Sequence, residues 1–80
     1  MTTARSWIDA YAHAAGVAAL SEQDMATILE IAAVAAHGSE RMAAPITCWL
    51  AASAGLSLEA ALSLAHELAS DPAGDVAETP

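Results

Sequence analysis

Gly16, Gly38 and Gly55, together with Pro45 and Pro72, cut this sequence into four apolar segments, none of which strings β-branched residues into a run. Within each segment the larger apolar residues recur every three or four positions, the period of one helix face, and not every second position as in a half-buried strand. The pattern predicts an all-α chain, a compact bundle of four short helices at about 6–15, 22–37, 45–54 and 58–69. Short connections make the bundle antiparallel or orthogonal.

Each helix has recognisable ends. Ser6, with Asp9 three residues on, has the spacing of a reciprocal cap, and Gly16 closes this first helix, on which Trp7, Tyr11 and Ala14 or Ala15 share a face. Ser21 caps the second, with Glu22 and Asp24 in the first turn, where acids favour the positive end of the helix dipole. Met25, Ile28, Leu29, Ala32 and Ala36 follow at helical spacing, and Gly38 reads as a left-handed stop. Pro45 suits the first turn of a third helix, with Ile46, Trp49, Leu50 and Ser53 along one face and Gly55 as terminator. Ser57 caps the fourth, whose stripe is Leu58, Leu62, Ala65 and Leu68 or Ala69, ending at Asp71 and Pro72. Residues 1–70 are expected to form a single domain, and 71–80 a flexible acidic tail.

Ten acids face two bases, Arg5 and Arg41, for a formal charge of −8. A nucleic-acid partner is excluded on this count, because binding phosphates requires cations. The mean hydropathy of +0.44 separates the chain from disordered acidic tails. Most of the apolar content is alanine, and Trp7, Tyr11 and Trp49 are the only aromatics, so the core is shallow and a partner or second copy is expected to add stability. The longest uncharged stretch, Met42 to Leu58, is 17 residues and contains Pro45, Ser53 and Gly55, too short and too interrupted to span a bilayer. A single cysteine allows no intrachain disulfide, and nothing at the N-terminus reads as a secretory signal, so a cytoplasmic location is expected.

Chemistry-bearing residues are sparse. His13, His37, Cys48 and His66 are suitable zinc ligands, but tight sites are announced by local pairs and these four are far apart, so no metal site is expected. Cys48, mid-helix beside Trp49, reads as a small apolar residue. The acids sit mainly at helix starts, Glu30, His66 and Glu67 read as parts of a solvated face, and no nucleophile stands beside a base. Neither an enzyme nor a cofactor is therefore expected. Ser21 and Ser57 follow leucines and read as caps, unlike the serine after aspartate that bears the prosthetic arm of acyl carrier proteins. One corner stands apart: His37 at a helix end, Arg41, and Thr47 in the turn opened by Pro45 form an anion-friendly group suited to a phosphate or nucleotide. A structural reading competes, in which Arg41 bonds helix-end carbonyls or pairs with Glu40 or Glu30, and His37 caps the same end.

Trp7, Ala36-His37-Gly38, Arg41, Ala43-Ala44-Pro45, Ile46-Thr47 and Trp49-Leu50 occur in an order that resembles a small helical domain of actinobacteria. That domain is found alone or attached to the C-terminal side of molybdenum cofactor guanylyltransferase-like proteins. Met42 stands where the family pattern has proline, and Ala51 to Ala54 replaces a more glycine-rich continuation. The resemblance covers roughly residues 6 to 69 and implies a setting in molybdenum-cofactor maturation or molybdoenzymes, with no catalytic role. A domain that occurs both fused and free suits docking, since fusion raises the effective concentration of a contact already made. The expected function is thus a non-catalytic interaction module using Trp7, Tyr11 and Trp49, with a molybdoenzyme, a cofactor-loading enzyme or a second copy as partner. The alternative is an anionic-ligand site at His37, Arg41 and Thr47.

Overall fold

In the computed structural model, which describes residues 3–70, the chain forms α1 (Ala4–Ala15), α2 (Glu22–Gly38), α3 (Ala43–Ser53) and α4 (Leu58–Ser70). These residues contain four helices and no strand, the all-α bundle expected from the sequence. The proposed tail at 71–80 lies outside the described residues.

Local chemistry accounts for most helix ends. Ser21 Oγ accepts from the Asp24 amide at 3.0 Å, and Ser57 Oγ from that of Ala60 at 3.1 Å. Gly16 and Gly55 both adopt left-handed backbone, φ 77° and 75°, which glycine enters without a Cβ penalty. After each glycine the next amide reaches back to close the helix, Val17 to the Ala12 carbonyl at 3.0 Å and Leu56 to that of Ala51 at 3.1 Å. Gly16 and Gly55 themselves bond His13 and Ala52, completing two Schellman ends.

Three ends differ from expectation. The cap of α1 is Thr3, not Ser6: Thr3 Oγ1 accepts the Ser6 amide at 3.1 Å, which starts the helix at Ala4 and leaves Asp9 to pair with Arg5. Gly38 lacks the left-handed backbone of the other two glycines and is the last residue of α2. Ser39 finishes that helix instead, its hydroxyl donating to the Ala35 carbonyl at 2.8 Å. A Cβ on Gly38 would meet the Ala69 Cβ at 3.5 Å, so here glycine lies against α4. Finally, α3 begins at Ala43, two residues before Pro45, because the Ala43 and Ala44 amides bond the Glu40 and Arg41 carbonyls and carry the turn into the helix. Proline still occupies the first turn, where a missing N–H costs no helical bond.

α2 is the spine, and α3 and α4 both pack on it. Among the described residues Ile31, 2% exposed, is the largest fully buried side chain, and the other buried apolar residues are Ala12, Ala61 and Ala65. Leu29 is 67% exposed, so the α2 stripe is centred on Ile31 and not on Leu29. Leu68 is also largely exposed, and Ala61 and Ala65 form the buried row of α4. On α3, Ile46, Trp49, Leu50 and Ser53 do share a face, but it points to solvent, while the half-buried residues are small: Ala43, Ala44, Thr47, Cys48 and Ala51. Alanine-lined contacts let helix axes approach towards the lower end of the usual range of about 8–10 Å, and the larger side chains are left outside.

Candidate functional site

The candidate residues lie on two apolar surfaces and at separate positions around the turn from α2 to α3. On α1, Trp7 and Tyr11 lie four residues apart, one helical turn, with ring centroids 6.4 Å apart and planes tilted by 39°. They are 63% and 66% exposed and, with Ile8, Val17 and Leu20, line a groove of about 540 Å³ between the helix and the connection to α2. Arg5 links α1 to the connection that forms the other wall. Arg5 Nη2 donates to the Leu20 carbonyl at 2.9 Å, Nη1 to Met25 Sδ at 3.0 Å, and Nε to Asp9 Oδ2 at 3.2 Å.

Trp49 does not join this pair. It sits on α3 with Ile46 and Leu50, Met42 stands at the cap position of the helix on the same side, and each of the four is more than half exposed. Leu50 also lines a groove of about 310 Å³ between α3 and α4, with Leu56, Leu64 and Leu68. The aromatic residues singled out in the sequence thus divide between two surfaces.

His37, Arg41 and Thr47 are not gathered into one site. Thr47 lines a largely apolar cleft of about 230 Å³ with Ser39, Val34 and Ala69, whereas neither His37 nor Arg41 lines it. Both are exposed, and their side chains make no hydrogen bond or ion pair among the described residues. The first amides of α3 are already committed to Glu40 and Arg41, and Pro45 has none, so this helix start lacks the free donors an anion cradle uses.

The remaining titratable groups are dispersed. Cys48 is half-buried and lines a cleft with Ile28 and Ile31, packing as a small apolar residue. His66 Nε2 lies 3.8 Å from Glu30 Oε2 between α4 and α2, both side chains more than half exposed, a surface pair of small energetic weight. Among the described residues no three His, Cys, Asp or Glu side chains come together as a metal site, and no helix is long and apolar enough to cross a membrane.

Sequence reasoning missed Arg5 as an organiser of the α1 groove. Its signal was present in the i, i+4 spacing to Asp9, but the cap assigned to Ser6 had already claimed that acid. No curated protein and no solved structure matches the chain. A family model does, over residues 1–79, and the chain belongs to that family, described as a Domain of unknown function (DUF6457).

Proposed function

We propose that this protein is a non-catalytic docking module whose α1 groove receives an apolar ridge of a partner protein. The observation that carries this reading is the exposure of Trp7 and Tyr11 around a groove braced by Arg5. Aromatic anchors of this kind supply much of the energy at protein interfaces. The chain's charge of −8 favours a ridge flanked by lysine or arginine. For the partner's identity, the actinobacterial resemblance supports a molybdoenzyme or a cofactor-loading enzyme.

The test is affinity purification of the tagged protein from its native host at near-physiological salt, in parallel with Trp7→Ala and Tyr11→Ala variants that retain helical circular dichroism. Recovery of a molybdoenzyme or its loading machinery with the wild type, and its loss with either variant, is the expected result. Equal recovery with both folded variants would remove the α1 groove from the interaction.

A further inference from the structure

We infer that Met25 is an oxidation site, and that its conversion to the sulfoxide by a peroxide releases α1 from α2. α3 and α4 both pack broadly on α2, whereas α1 does not, and Ala12 is its one buried residue. Among the described residues, every side-chain hydrogen bond from α1 to the rest of the chain comes from Arg5, which reaches the Leu20 carbonyl through Nη2 and Met25 Sδ through Nη1. Asp9 Oδ1 adds to the dependence on this cation. It is buried without a hydrogen-bond partner, so the guanidinium held at Oδ2 is what offsets its charge.

Met25 therefore anchors Arg5 as much as Arg5 anchors α1. The sulfur accepts from Nη1 at 3.0 Å through a lone pair, and a lone pair is what an oxidant takes up. With hydrogen peroxide as oxidant, an S–O bond forms as the O–O bond breaks, and an electron pair passes from sulfur to the peroxide. The departing hydroxide takes the proton of the transferred hydroxyl and leaves as water. Either epimer of the product ends the contact. Oxygen on the lone pair facing Arg5 stands inside the 3.0 Å gap that Nη1 now closes, and forces the guanidinium out. Oxygen on the other lone pair leaves an electron-poor sulfur turned towards a cation. In both, a half-buried apolar side chain at the α1–α2 junction becomes a polar one. Met42 is the internal contrast, because at 70% exposed ahead of α3 its sulfoxide faces water. The release is a property of the α1–α2 junction and does not depend on what the α1 groove binds.

Graded hydrogen peroxide treatment of the full chain, followed by peptide mass spectrometry and amide hydrogen exchange, tests the inference. Met42 is expected to oxidise first, without effect on α1. Oxidation of Met25 then accelerates exchange across α1 and its connection to α2 by about fivefold or more, the scale of one lost hydrogen bond, with the α3 and α4 amides unchanged. Methionine sulfoxide reductases of both epimer specificities, supplied with a dithiol, should restore the slow exchange. In Met25→Leu, peroxide should leave α1 exchange where it was; should that variant fail to fold, reductase reversal on the wild-type chain provides the same readout. Met25 left unoxidised after Met42 is fully converted, α1 exchange unchanged or slowed by the sulfoxide, or a peroxide response in Met25→Leu equal to that of the wild type would overturn the assignment.

Discussion

Arg5 on α1 and Met25 on α2 meet through a guanidinium-to-sulfur contact of 3.0 Å, and this single side chain carries much of the polar attachment between the two helices. The same guanidinium holds the Leu20 carbonyl and Asp9, so three partners depend on one cation in a chain that has two.

Arg5→Ala is therefore expected to loosen α1 selectively. Lost charge-assisted bonding, discounted for partial exposure, costs about 1–2 kcal/mol. Amide hydrogen exchange should accelerate across α1 and the connection to α2, with the α2, α3 and α4 amides changing far less. Uniform acceleration over all four helices would show that Arg5 supports the whole fold and not this junction.

The glycines should respond in opposite directions. Gly16→Ala and Gly55→Ala place a Cβ on left-handed backbone and are expected to destabilise by about 1 kcal/mol each. Gly38→Ala puts its methyl at ordinary contact distance from Ala69, on backbone without positive φ, and should stabilise by about 0.4–1 kcal/mol. Urea midpoints of the three variants decide the matter, and a destabilised Gly38→Ala would mean that α4 cannot absorb the added methyl.

Ile31 and Leu29, two positions apart on α2, provide the sharpest contrast in burial, 2% against 67% exposed. Ile31→Ala is expected to cost about 2–5 kcal/mol, because it removes the largest fully buried side chain among the described residues and leaves a cavity beside Ile28, Cys48 and Ala61. Leu29→Ala should change stability by about 0.5 kcal/mol or less. Thermal melts of the two variants read the difference, and comparable losses would place Leu29 in a contact outside the isolated chain.

Fold class was legible because the signals that set it are local. Left-handed glycine at 16 and 55, and serine caps at 21 and 57, act within a few residues of themselves. Gly38 has the same identity but no left-handed backbone, because α2 runs through it and ends at Ser39, whose hydroxyl bonds the Ala35 carbonyl. The buried faces were harder to read. On α3, apolar residues occur all round the helix, so neither periodicity nor charge marks the side turned to α2. Alanine then took the inner positions, and the large side chains at 46, 49 and 50 faced outward. For the candidate surfaces, the Trp7 and Tyr11 pair followed from one-turn spacing, whereas the separation of Trp49 from them is a product of tertiary packing.

The alanine seams of α2, α3 and α4 have a further effect on how the chain is held together. A methyl group has no rotamers to freeze, so these helices come together without the side-chain entropy that leucine or methionine seams surrender. The same smoothness removes the interlocking that normally prevents one helix from sliding along another. Ile31, the largest fully buried side chain among the described residues, interrupts that smooth seam together with the half-buried Ile28 and Val34 of α2 and Leu58 and Leu62 of α4, and these larger side chains are what oppose sliding.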